Sequence, residues 1–283
     1  MTAAADVSLF LRRLFRRKLV LLAALILAVF VLSALFAPYV APFDPSAMKL
    51  LRRLKPPSDI NWMGTDEFGR DIVSRIIFGA RASLGIGFLV VVFSMGIGAV
   101  LGLVAGYVKA LDTPIMRLAD AMMALPDILL AIFLMAVLGP SAGNVVLALS
   151  IVYAPRVVRV VRASTLVVSA LPFVEAARAL GVSTFRILRV HILLNIASPI
   201  LVQATFIFAY AVLAEAGLSF LGAGVPPEVP TWGTMIAAGQ QYADDAFWVV
   251  LFPGLAIVFA ALSLQLIGDG LRDMLDPKLR KAL

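Results

Sequence analysis

Two carboxylates lie inside long apolar segments of this sequence. Asp127 follows Pro126 in one segment, and Glu215 lies deep in another. An ionised carboxylate within a membrane is costly, so it usually faces a partner charge, water or the pathway of a charged solute. A peptide's ammonium group or a metal cation would suit such a site. Two interpretations therefore stay open for each acid: contact with a translocation pathway, or a structural ion pair.

Other reactive chemistry is scarce. The chain has no cysteine and one histidine, His191, so a Cys/His metal site within it is excluded. An intramembrane hydrolase using Ser83 or Ser94 would lack a nearby histidine base. The sequence has no G-x-x-x-x-G-K-[ST] loop for ATP phosphates. We therefore predict no catalytic residue, no resident metal and no cofactor in this chain.

The surrounding composition is that of a membrane protein. Of 283 residues, 62% are hydrophobic and 14% charged, which is outside the range of soluble domains. The net charge of +7 comes from short basic clusters between apolar runs, so no nucleic-acid surface is predicted. A spanning helix needs about 20 apolar residues. Six stretches qualify, at about 19–37, 84–108, 116–138, 144–161, 196–221 and 247–267.

Basic residues indicate the orientation of these spans. The first span follows Arg12, Arg13, Arg16, Arg17 and Lys18 and is too long for a signal peptide, so it is predicted as a retained anchor. Seventeen of the 24 Lys and Arg residues fall on one predicted side and seven in the first loop of the other. Because cytoplasmic segments carry the positive excess, both termini are predicted to be cytoplasmic.

The loop between the fourth and fifth predicted spans, residues 169–192, has the pattern of two short helices joined at a glycine; we call it the elbow. Pro172 suits a first helical position, and Gly181 can end the first helix. Ser183 or Thr184 can cap the second. The predicted apolar positions are Phe173, Ala176, Ala177 and Leu180, then Phe185, Leu188 and Ile192. The elbow suits either docking of another protein or an interfacial position on lipid.

A short helix is also predicted in the first external loop. Asp71 and Arg75 lie at i, i+4, and Ile72, Ile76 and Gly79 form a narrow apolar stripe. This helix would lie along the outer membrane surface and lead into the second span. It would either close the external end of the bundle or contact a substrate-binding protein.

Several of these motifs resemble one transporter family. Glu175-Ala176-Ala177, with Gly181 and Ile192 after it, resembles the EAA signature of ABC-importer permeases, with Leu194 where the family usually has proline. Three further segments resemble the C-type subunit of the dipeptide, oligopeptide and nickel permeases, whose members often have histidine where this chain has Asn61. These segments are 63–84, 226–235 and 268–277, and the similarity runs from about residue 10 to the end.

The resemblance implies a fold and a role. It implies an all-α integral membrane protein with six transmembrane helices and the type I ABC importer permease fold, in the bacterial inner membrane. The implied parts are an N-terminal region (1–80), a permease domain (81–270) and a cytoplasmic tail (271–283). In that family the elbow docks on the ATP-binding subunit, which implies coupling roles for Glu175, Ala176, Ala177, Leu180, Gly181 and Ile192.

The resemblance also implies partners. These are ATP-binding cassette subunits that carry ATP and Mg²⁺, a second homologous permease, an extracytoplasmic substrate-binding protein and membrane lipid. The expected substrate is a short peptide, with a nickel complex as the nearest alternative. An ion-coupled secondary transporter using Asp127 and Glu215 is a more distant alternative, because such carriers usually have longer chains with inverted repeats.

Overall fold

The computed structural model describes residues 17–275, and the regular structure of this part of the chain is helical apart from one isolated β-bridge between Thr65 and Asp71. The basic residues Arg12, Arg13 and Arg16 and residues 276–283 of the predicted tail lie outside the described residues. The helices are α1 Lys18–Leu35, α2 Ala37–Val40, α3 Ile72–Tyr107, α4 Lys109–Met123, α5 Asp127–Leu138, α6 Ala142–Ser169, α7 Pro172–Ala179, α8 Thr184–Arg186, α9 Ala197–Phe220, α10 Trp232–Gly239 and α11 Trp248–Leu275.

Within the described residues, five helices are long and apolar enough to cross a membrane: α1, α3, α6, α9 and α11. A sixth crossing is possible only through α4 and α5 together, which are bent by 93° at the break between them. The predicted continuous helix over 116–138 is therefore wrong. Pro126 lies at the break and favours it, because a proline disfavours the helical conformation of the residue before it and lacks the N–H of the ladder. Proline alone does not impose a break, since Pro155 lies inside the continuous helix α6.

Three other spans are longer than predicted, among them α11, which ends at Leu275 rather than at about residue 267. Helix α6 continues to Ser169, eight residues beyond the predicted end. Arg162, which follows that predicted end, is paired with Asp112 within the bundle. Helix α3 is 36 residues long, or about 54 Å. The helix predicted to lie along the outer surface is instead the first part of α3, since the chain stays helical and unbroken from Ile72 to Tyr107.

Close approach of α3 and α6 forms the centre of the bundle. The added Cβ of an alanine at Gly102 would lie 2.7 Å from the Cβ of Val161 and 2.8 Å from the carbonyl oxygen of Val158. Gly98 and Gly106 face α6 in the same way. Small residues at such positions allow backbones to approach closely in lipid, where packing rather than the hydrophobic effect holds helices together.

A second cluster lies where α1, α3, α9 and α11 meet, around the fully buried Trp232 of α10. The Trp232 indole donates a hydrogen bond to the Ile76 carbonyl over 3.1 Å, and its ring lies edge-on to Phe30. Gly79 leaves room for this ring, since a Cβ there would be 3.0 Å from it. Helix α10 is thereby fixed onto the external half of the bundle.

The first external segment packs onto this same end through a buried polar network. Although Asp71 and Arg75 lie at i, i+4, Arg75 reaches Asp66 over 3.4 Å, and Asp66 also binds Arg70 over 2.6 Å. Asp71 caps α3 by accepting a hydrogen bond from the Ser74 backbone N–H over 2.8 Å. Its other oxygen accepts a bond from the Asn61 side chain over 2.8 Å.

Replacing Asp71 with alanine should therefore destabilise the protein. We expect a loss of about 1–2 kcal/mol, because the cap of α3 disappears and the buried Asn61 amide loses its acceptor. Thermal unfolding in detergent measures the change. Asp59→Ala is the control, since Asp59 is an exposed acid of the same segment. Equal midpoints for the two variants would contradict the assigned role.

Candidate functional site

Helix α7 of the elbow begins and ends as its sequence predicts. Pro172 occupies the first turn, and the helix ends at Ala179. Gly181 has a φ of +74°, a conformation that favours glycine. Its N–H donates to the Arg178 carbonyl over 3.0 Å, and the Val182 N–H donates to the Ala177 carbonyl over 3.1 Å. These two bonds are the Schellman ending of a helix.

The second half of the elbow departs from the prediction. Helix α8 is a single turn followed by a π-helical segment, Ile187–Ile192, whose wide turn is closed by the Leu193 N–H bonding to the Leu188 carbonyl over 2.8 Å. Phe185, predicted as an apolar packing position, is 72% exposed. A turn then separates the elbow from α9. The chain breaks there although Leu194 stands in place of a proline.

The elbow presents an apolar ridge to its surroundings. Val174 and Ala177 form the face of α7 that packs against the protein, so Ala177 does not share a face with Phe173, Ala176 and Leu180, with which its sequence spacing groups it. Phe173, Ala176 and Leu180 are exposed, with Leu180 at 83%. Glu175 is exposed in the first turn of α7, where a negative charge favours the helix dipole. We call Phe173, Ala176 and Leu180 the elbow ridge.

Contacts connect the elbow to the spanning helices. The Arg178 guanidinium lies 5.2 Å from the ring centre of Tyr107, at the last residue of α3. Ile192 is fully buried and belongs to the same core cluster as Val174 and Ala177. The elbow is therefore packed against the end of α3 and leads directly into α9.

Glu215 is fully enclosed by the protein. Its two carboxylate oxygens accept hydrogen bonds from Ser83 over 3.0 Å and from Ser219 over 2.9 Å. Each serine hydroxyl in turn accepts a backbone N–H, from Trp232 over 3.2 Å and from Val225 over 3.3 Å. Glu215 thus ties the external loop and α10 to α3 and α9, and its carboxylate is not exposed to a pathway in this structure.

Asp127 lies in a different environment. It is the first residue of α5, at the bend, and forms an ion pair with Arg156 of α6. The structure therefore keeps Asp127 and Glu215 in separate sites. Two more pairs continue along α6: Arg159 with Asp120 over 2.7 Å, and Arg162 with both oxygens of Asp112. We call these three pairs the ion-pair row.

Sequence reasoning missed the ion-pair row, although a signal was present. Arg156, Arg159 and Arg162 recur every three residues after an apolar run. The orientation count places them with the cytoplasmic residues, although Arg156 and Arg159 lie within the predicted span 144–161. Pairing each arginine with an acid of the preceding segment would have predicted a longer α6. It would also have given Asp112, Asp120 and Asp127 a common role as partners of these arginines.

Two protein-family models match parts of this chain. The family model of the binding-protein-dependent transport system inner membrane component matches residues 98–281. A model of the N-terminal TM domain of oligopeptide transport permease C matches residues 7–57. The di/tripeptide transport system permease protein of Pseudomonas aeruginosa is 47% identical over 265 residues, 91% of this chain and 88% of that protein. The dipeptide transport system permease protein of Alkalihalophilus pseudofirmus is 43% identical over 270 residues, 95% and 89% of the two chains.

A solved structure has the same fold. An inward-facing MetNI methionine ABC transporter matches with a TM-score of 0.59 at 20% identity, covering 72% of this chain and 98% of that chain. At this identity the match concerns the helical arrangement alone, which is that of an ABC importer permease. The family matches, the relatives and the fold lead to one conclusion: the chain is a multi-pass inner-membrane permease subunit that belongs to the binding-protein-dependent transport system inner membrane component family.

Proposed function

We propose that this chain is one of two permease subunits of an ATP-driven importer that carries short peptides across the inner membrane. The family membership supports the permease role. The names of the relatives, which are dipeptide and di/tripeptide permeases, support peptides over nickel complexes as the substrate. The observation that carries the proposal for this chain's own residues is the exposed elbow ridge.

The elbow ridge has the properties of a docking surface. Leu180 and Phe173 are exposed apolar side chains on a short helix, and Ala176 between them adds little bulk. We propose that an ATP-binding subunit, which holds ATP and Mg²⁺, covers this ridge, with Glu175 beside it and Gly181 setting its angle. A second homologous permease and an external substrate-binding protein complete the expected assembly.

Movement of the elbow can reach the spanning helices through two contacts. Arg178 stacks on Tyr107 at the end of α3, and buried Ile192 connects the elbow to the start of α9. When the ATP-binding subunits close, the elbow moves with them, and α3 and α9 receive the displacement. We propose the division into 1–80, 81–270 and 271–283 as sequence regions only, because residues 80 and 270 fall inside α3 and α11.

The proposal is tested by co-expressing the chain with its genomic neighbours and purifying it by an affinity tag. Leu180→Asp should lower the amount of co-purified ATP-binding subunit by at least about tenfold, because a carboxylate would be buried in an apolar contact. Leu194→Asp is the matched control, since Leu194 is 67% exposed after the elbow but outside the ridge. The proposal fails if no ATP-binding subunit accompanies the wild-type chain, or if Leu180→Asp retains it fully.

A further inference from the structure

The three pairs of the ion-pair row are partly exposed within this chain, the Arg162–Asp112 pair least, at 28% and 27% of its side chains. Side-chain exposure is 30% for Arg156 and 35% for Asp127, and it exceeds 50% for both Arg159 and Asp120. Arg156 is near the middle of α6, about 21 Å along the helix from its first residue. Charged side chains do not face lipid at such depth, so this face of α6 lies against water or another protein.

The other side of the same helices is apolar. Helix α4 places its apolar residues, such as Leu118 and Met122, in a groove of about 190 Å³ shared with α3 and α6. Ile151 and Pro155 of α6 line this groove, and its walls are almost entirely apolar. Helices α4 and α6 therefore separate an apolar side from a charged side. The charged side suits a water-filled passage, because half-exposed ion pairs keep part of their hydration there.

Two aromatic rings pack against Arg156 of the Asp127–Arg156 pair. The Arg156 guanidinium lies 5.1 Å from the ring centre of Tyr210 and 5.4 Å from that of Tyr153. The Tyr153 hydroxyl donates to the Tyr210 carbonyl over 3.3 Å, which ties α6 to α9. Tyr153 is buried, whereas Tyr210 is 41% exposed. Rings against the guanidinium hold it in place while its remaining N–H groups stay free to bind.

We infer that the Asp127–Arg156 pair is an exchange site for zwitterionic short peptides, on the translocation pathway of the importer proposed above. The Asp127 carboxylate binds the peptide's ammonium group, and the Arg156 guanidinium binds its carboxylate. The exchange adds no net charge to the membrane interior, because the zwitterionic peptide is neutral: the one ion pair between Asp127 and Arg156 is replaced by two ion pairs with the peptide. A dipeptide is about 7 Å long, and Arg159 lies about 4.5 Å further along α6, so the next pair is within its reach.

The native chain has no cysteine, so a single introduced cysteine reports on this face directly. The test uses the assembled importer in inside-out membrane vesicles and a charged, water-soluble thiol reagent. Arg159→Cys should react at least about tenfold faster than Ile151→Cys, since Ile151 lies on the apolar side of α6. Millimolar alanyl-alanine should slow the reaction, and its N-acetylated, amidated analogue should not.

A second variant tests the exchange itself. Adding Asp127→Asn to Arg159→Cys should weaken the protection by alanyl-alanine by about tenfold or more, because a charge-assisted bond is lost. Adding Asp273→Asn is the control, because Asp273 forms a similarly exposed pair with Arg17 elsewhere. Each of three results would overturn the inference: slow labelling of Arg159→Cys, labelling that both compounds affect equally, or labelling seen only when the second permease is absent. Absence of an ATP-binding subunit from the wild-type complex would instead count against the proposed function.

Discussion

Replacing Gly102 with valine should leave little folded protein in detergent extracts. The new Cβ would lie 2.7 Å from the Val161 Cβ and 2.8 Å from the Val158 carbonyl oxygen. The first neighbour is a branched side chain and the second is backbone, so no simple rotamer change relieves the clash. Helices α3 and α6 would have to separate, and we expect a cost of about 3 kcal/mol or more.

Gly96→Val is the matched control for this prediction. Gly96 belongs to the same helix, but an added Cβ there meets nothing within 4 Å. The yield of monodisperse protein on size-exclusion chromatography and the midpoint of thermal unfolding measure both variants. Similar yields and midpoints for Gly102→Val and Gly96→Val would show that α3 and α6 are not in close contact.

Replacing Glu215 with alanine should destabilise the external end of the bundle strongly. The change leaves the buried hydroxyls of Ser83 and Ser219 without their acceptor and opens a cavity. We expect a loss of roughly 3–5 kcal/mol in the free energy of unfolding. Glu215→Gln should cost far less, because an amide of the same shape keeps one acceptor oxygen in the network.

The Glu215 variants also distinguish a structural anchor from a negative charge that transport requires. Glu228→Ala is the control for loss of an acid in the same external region, where Glu228 is exposed. If Glu215 is an anchor, Glu215→Gln should keep most peptide uptake in reconstituted vesicles, while Glu215→Ala loses uptake and stability together. If Glu215→Gln is stable but does not transport, the negative charge itself is needed on the pathway. The structural role of Glu215 as an anchor would then not account for its effect on transport.

Much of the fold could be predicted from the apolar runs. The limits of α9 were predicted within one residue at each end, because uncharged flanks and small residues mark it clearly. The predicted end of α6 was too early, because a run of arginines is typical of a loop when their acidic partners are unknown. The partners lie up to 50 residues away, and no local pattern reports which acid an arginine will meet.

The candidate site could likewise be predicted only in part. Gly181 and Pro172 determine the limits of α7 through local backbone chemistry, so its ends were predictable. Which side of α7 is exposed could not be predicted. Phe173 and Ala177 lie four residues apart, and only packing against the bundle decides which of the two is covered. The separation of Asp127 from Glu215 likewise depends on how α5 and α9 are placed.

The length of α3 has a thermodynamic consequence. Its first residue follows the buried network around Asp71, and its last contacts Arg178 of the elbow. One continuous helix without an internal proline therefore touches both faces of the membrane assembly. Linkage between two sites is reciprocal. If closure of the ATP-binding subunits changes the affinity of the external end for a bound protein by a given factor, binding of that protein must change the equilibrium constant for closure by the same factor.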